Sequence, residues 1–230
     1  MSYAASSETP DPVVEERLRE SPALAAWASR AASLSVPEAT DLLQAVGSFP
    51  RVVAVFEDAL LAIAKDESRS LDLRLTAFAA LDRGAFLSSS TRRAIAQMAI
   101  GQNSPTGDAA TALLVAWSPF PTDLIPEVTT GLQSSAPAVR VRALRVLGAA
   151  GPSARPHLAA IASASIDSDR SVATMAEQTF RAVAGHTRVS PEDLRSVVER
   201  LEGGDPNDSL HAACLLAPYL DDPDGTWTGK

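Results

Sequence analysis

Cysteine occurs once in the 230 residues, as Cys214, histidine three times and lysine twice, at Lys65 and Lys230. A lone thiol excludes an internal disulfide framework and fits a reducing compartment. Aromatic residues make up only 5% of the chain, too few for a core built on large rings. The most apolar stretch, VVAVFEDALLAIA, is interrupted by Glu57 and Asp58 and is too short to span a bilayer. The opening MSYAASSETPDPVVEE has neither a basic start nor an apolar run, so no secretory signal is expected. No G-x-S-x-G, Walker loop, H-E-x-x-H or G-x-G-x-x-G is present. The formal charge of −8 argues against a dedicated duplex-DNA or anionic-membrane surface, which needs clustered lysine and arginine. These features predict a soluble, cytoplasmic protein that needs no cofactor.

What the chain has in abundance is alanine, the best helix former and a residue that lets helices approach closely. The alanines are placed at a fixed interval. Ala77, Ala110, Ala143 and Ala176 are spaced by 33 residues. Four positions before them stand Leu73, Thr106, Val139 and Val172, and four after them Leu81, Leu114, Leu147 and Phe180. Positions i, i+4 and i+8 form one stripe of a helix. A second set keeps the same step: Ile95, Val128, Ile161 and Leu194, followed by Ala99, Leu132, Ser165 and Val198. Each unit is thus expected to be two helices, the first with a small residue at the centre of its stripe. Pairs of this kind share a continuous core only when stacked, which predicts an all-α, right-handed solenoid.

The punctuation agrees with this division. SSSTRR, SPFPTDL, GPSARP and VSPEDL supply helix starts with Ser or Thr caps and early prolines. Gly84, Gly101, Gly148 with Gly151, and Gly185 mark expected helix ends. The expected organisation is one continuous domain. Residues 1–68 hold N-terminal cap helices and a degenerate pair, and residues 69–203 hold four repeats of about 33 residues. Residues 204–220 form a capping helix, and 221–230 an acidic tail that contains Trp227. Trp27 and Trp117 lie in apolar helical contexts and are expected in the core.

The segments APAVRVRALRVLGAAG, DSDRSVATMAEQTFRAVAG and ESRSLDLRLTAFAALDRG resemble the first helix of HEAT and HEAT-like repeats, particularly the short form of the phycobilisome lyases. The shared pattern is D-x-x-V-R-x-x-A-x-x-A-L-G, and the resemblance covers about residues 69–203. It implies an α-solenoid and extends to no particular function, since such arrays serve as scaffolds, adaptors, inhibitors and a few enzymes. The T-P-L-H signature of ankyrin repeats and the Trp-Gly-Tyr pattern of tetratricopeptide repeats are absent.

Candidate chemistry is sparse. His211 and Cys214 stand three residues apart on an expected helix, but a structural metal site needs four ligands and no second pair is visible. His157 has no nucleophile motif beside it, so neither a triad nor a metal is expected. Arg140, Arg142 and Arg145 crowd one helix, while Arg92, Arg93, Arg155, Arg195 and Arg200 fall on expected second helices. From Asp72 to Arg200 the balance is +2, between flanks of −5 each. That is a weak field, and pairing of these arginines with acids of adjacent units accounts for it more simply.

Two functions of different class follow. The first is a non-catalytic protein-binding scaffold or adaptor, including an inhibitor or immunity-type protein, that uses the concave surface lined by second helices. Its expected partner-binding residues are Arg93, Glu127, Thr130, Arg155, Ser163 and Arg195, among small neutral side chains such as Thr129, Ser165 and Ser196. The expected partner is another protein or peptide, not duplex nucleic acid or a membrane. The alternative is a HEAT-like DNA glycosylase, which needs a basic groove, a cleft carboxylate and DNA-facing aromatics. The net charge and the two lysines count against it. A chromophore lyase rests on the resemblance alone.

Overall fold

A computed structural model of the chain describes residue 13 and residues 16–17, 20–31, 34–50, 52–84, 87–101 and 104–185. Every regular element among them is helical, and no strand occurs among the described residues. Between Pro22 and Gly185 they form ten α-helices, α1 (Pro22–Ala31), α2 (Val36–Gly47), α3 (Val53–Lys65), α4 (Leu71–Asp82), α5 (Ser89–Ile100), α6 (Pro105–Ala116), α7 (Ile125–Thr130), α8 (Pro137–Ala150), α9 (Leu158–Ala164) and α10 (Arg170–Ala184). The chain divides into two compact units, residues 1–94 and 95–230. No helix among the described residues is long and apolar enough to cross a membrane.

In the first unit α1 packs on α3, α2 on α4, and α3 on α4. Helices that skip one neighbour and meet the next are what stacked antiparallel pairs produce. Phe56, Leu60, Ile63, Ala77 and Leu81 fill the core. Arg69 ties two connectors together by donating from Nη1 to the Leu34 carbonyl (2.8 Å) and from Nε to Asp66 (3.4 Å). Glu57, which interrupts the apolar run, is buried and has a definite task. Its carboxylate accepts from the Ser88 N–H (2.9 Å), the Ser88 hydroxyl (2.5 Å) and the Thr91 hydroxyl (2.6 Å). A side chain from α3 thereby caps the start of α5, where the first N–H groups lack partners within the helix and a negative charge is favoured.

In the second unit α6 packs on α8, α8 on α10, α7 on α8, and α9 on α10. Ser104 caps α6 and Asp169 caps α10, accepting from the Gly107 N–H (3.2 Å) and the Ser171 N–H (2.8 Å). Both second helices here are short and led in by 3-10 turns, at Thr122–Leu124 and Gly151–His157. Pro119, Pro121 and Pro126, then Pro152 and Pro156, remove backbone donors and stop α-helix from starting earlier. Gly151 (φ +55°) and Gly185 (φ +65°) take the left-handed conformations that end α8 and α10. Gly148 corrects an expectation: it lies inside α8 rather than at its end. Its bare surface there faces Thr179 of α10, whose hydroxyl donates to the Leu144 carbonyl at 3.0 Å.

The columns at the 33-residue step can be followed individually. Ala77, Ala110, Ala143 and Ala176 are all fully buried. So are Leu81, Leu114, Leu147 and Phe180, and Leu73, Thr106, Val139 and Val172 are buried as well. On the second helices Ile95, Val128 and Ile161 are buried, as are Ala99, Leu132 and Ser165. Leu194 and Val198 lie outside the described residues.

Candidate interaction surfaces

Arginines that appeared available in the sequence are largely employed in joining helices. Arg140 on α8 reaches Asp167 in the connector after α9 at 2.7 Å and donates to the Ser134 carbonyl. Arg142 is only 3% exposed and lies across the start of α6, donating to the Ser104 carbonyl (3.2 Å) and Asp108 (3.3 Å). Gly107 makes that crossing possible, because a Cβ there would meet Arg142 Cζ at 2.8 Å. Arg145, by contrast, is exposed on α8.

The expected partner-binding residues fare differently from one another. Thr130 is exposed and Ser163 half-buried, and each hydroxyl donates back to its own helix, to Glu127 (2.7 Å) and Ala159 (2.9 Å). Glu127 is half-buried on α7, and Arg93 is exposed on α5. Arg155 stands in a 3-10 turn instead of on a second α-helix. Its guanidinium donates to the carbonyls of Val183 (3.4 Å) and Ala184 (3.0 Å), capping the C-terminus of α10. Ser165, expected on the lining, is buried and donates to Ala162 (2.6 Å). Arg195, Ser196, His186, His211, Cys214 and Trp227 lie outside the described residues. His157 is half-buried at the end of its 3-10 turn, and no group of three His, Cys, Asp or Glu able to hold a metal occurs among the described residues.

Two grooves stand on surfaces the sequence did not single out. In the first unit a cavity of about 430 Å³ opens between α1 and α2, lined by Trp27, Arg30, Leu34, Glu38, Asp41, Leu42 and Ala45. Trp27 therefore corrects the expectation of a core position: the residue is 53% exposed. The helix that carries it, PALAAWASRA, has alanine on every side, so its burial can be satisfied by alanine and leucine while the indole projects outward. Trp117 is half-buried. In the second unit a shallower groove of about 260 Å³ crosses the first-helix row and includes Val115, Arg145, Met175 and Gln178.

Electrostatics at the first groove is set locally. The Glu38 carboxylate accepts from the Ser35 hydroxyl and from the Ser35 N–H (3.0 Å), and these bonds, with Arg30 nearby, hold it below the usual glutamate range. Asp41 makes no hydrogen bond or ion pair to another described residue. Neither a protein-family model nor a curated protein matches the chain.

Proposed function

We propose that the chain is a non-catalytic protein-binding scaffold or adaptor, built as a right-handed α-solenoid of HEAT-like repeats and working in the cytoplasm. An adaptor, an inhibitor and an immunity-type protein all fall within this reading, since each needs an extended receptive surface and no reaction chemistry. The observation that carries it is the two-sided character of the second helices. Ile95, Val128 and Ile161 form their buried column. Two residues further on, at the same 33-residue step, Gln97, Thr130 and Ser163 form a neutral polar column that is exposed or half-exposed. A surface of small uncharged polar groups along successive helices can accept another polypeptide without first stripping water from charges. Glu127 supplies charge at its margin, and Arg93 and Arg195 are assigned the same role from their sequence positions.

The test is co-purification from the native host with the wild-type chain and with Thr130→Arg and Ser163→Arg variants. The expected result is a partner retained by the wild type and lost from both variants, with melting temperatures unchanged. Recovery of the same partner by both variants overturns the proposal. Tight, salt-sensitive duplex-DNA binding or base excision by the purified chain overturns it in favour of a HEAT-like glycosylase.

A further inference from the structure

The groove between α1 and α2 combines features that the second-helix surface lacks. Its volume, about 430 Å³, falls in the range of specific recognition pockets. Its lining includes the apolar side chains of Leu34, Leu42 and Ala45, and Leu42 is buried beneath it. Trp27 is one of four large hydrophobic residues exposed among those described, and the only aromatic of the four. Tryptophan exposed in this way is characteristic of interfaces, where it offers a wide face at low entropic cost.

The charges select the occupant. Glu38 is engaged with Ser35, with Arg30 near enough to act on its charge, whereas Asp41 stands exposed without a partner among the described residues. An indole face and an available carboxylate on one groove match a guanidinium, which stacks on aromatic rings and pairs with carboxylates through the same planar group. The apolar lining asks for an aliphatic side chain next to it. A second copy of the chain, at −8, and its own tail DDPDGTWTGK, with three aspartates and one lysine, both carry the wrong sign.

We propose that this groove docks a helical segment of a partner protein that presents an arginine beside an aliphatic anchor, the arginine engaging Trp27 and Asp41. The proposal rests on the protein-binding reading but uses residues separate from the Thr130 and Ser163 surface, so either can fail alone.

The experiment titrates the full-length protein with two synthetic amphipathic peptides of equal length, one carrying Leu and Arg on its apolar edge, the other Leu and Glu. Binding is read from tryptophan fluorescence and calorimetry. The arginine peptide is expected to bind at least tenfold tighter than the glutamate peptide. Trp27→Ala is expected to abolish the fluorescence change and weaken binding at least tenfold, with an unchanged circular-dichroism spectrum, since the ring is exposed. Asp41→Lys is expected to reverse the preference between the two peptides. Equal affinity for both peptides, no binding of either, or undiminished binding by Trp27→Ala overturns the proposal. Self-association of the wild type that Trp27→Ala abolishes overturns it as well, by making a second copy the occupant. A Thr130→Arg variant that loses the native partner while retaining the arginine peptide separates the two surfaces.

Discussion

Gly131 and Ala143 meet so closely that neither can be enlarged in place. A Cβ on Gly131 would stand 3.0 Å from that of Ala143 and 2.8 Å from Ile100 Cγ2. The small residue at the centre of α8 and the bare backbone after α7 are two halves of one contact, with Ile100 as its third side.

Enlarging Ala143 is therefore expected to be costly. Ala143→Leu should destabilise the fold by about 1–3 kcal/mol, the usual cost of overpacking. Gly131→Ala should destabilise it in the same direction. Urea denaturation of both variants checks this, and a wild-type midpoint for either would place the contact elsewhere.

Glu57 should be intolerant of truncation. Glu57→Ala removes the acceptor of the Ser88 N–H and leaves the buried Thr91 hydroxyl without its own. A loss of about 2 kcal/mol is expected. Double-mutant cycles with Thr91→Val should show strong coupling, and simple additivity would mean that the carboxylate acts on its own.

Arg155 offers a distinction between fold and binding. Its bonds to the last carbonyls of α10 predict that Arg155→Glu destabilises the protein by about 1 kcal/mol, because a carboxylate at a helix C-terminus also opposes the dipole. Thermal melts and faster amide exchange at the end of α10 are the readouts. A binding defect in this variant thus reports on α10 before it reports on a partner.

The acid limb of stability should be traceable to capping carboxylates. Asp169 is held below its usual range by the Ser171 hydroxyl, then by the N–H groups of Ser171 and Val172. Asp66 is lowered by Ser68, hydroxyl first, and Glu38 by Ser35 in the same way. A depressed folded-state pKa stabilises fully above the unfolded value, about 3.9 for aspartate. That contribution is lost as the pH falls below this value and through the folded one. The melting temperature should be level above about pH 5 and decline below about pH 4. Asp169→Asn should flatten that decline, and an unchanged slope would remove this cap from the explanation.

The buried columns were legible because one residue type recurs at a constant interval, and no single helix had to be judged alone. Ala77, Ala110, Ala143 and Ala176 each look unremarkable individually; together they define the contact face. Trp27 departs from its expected core position for the opposite reason. Its helix is so rich in alanine that apolar periodicity cannot distinguish inside from outside. Ser165 belonged both to a repeat column and to a run of small polar residues, and burial assigns it to the column. The task of Glu57 depends on Ser88, 31 residues away. Only the anomaly of a carboxylate in an apolar run signalled it. The groove of Trp27, Asp41 and Leu42 requires two helices to be placed side by side, which no pattern within either one specifies.

The bonds from Arg69 to Leu34, Ser88 to Glu57, Arg142 to Ser104 and Thr179 to Leu144 join residues separated by 35, 31, 38 and 35 positions. Cross-links of such uniform, short reach mean that little loop entropy must be surrendered before any of them forms. Folding speed should accordingly depend on a pair of adjacent helices and not on the length of the chain. For the same reason, excising one whole 33-residue interval should leave the buried columns on either side in register, whereas removing half an interval should misalign those columns and break the links that straddle the cut.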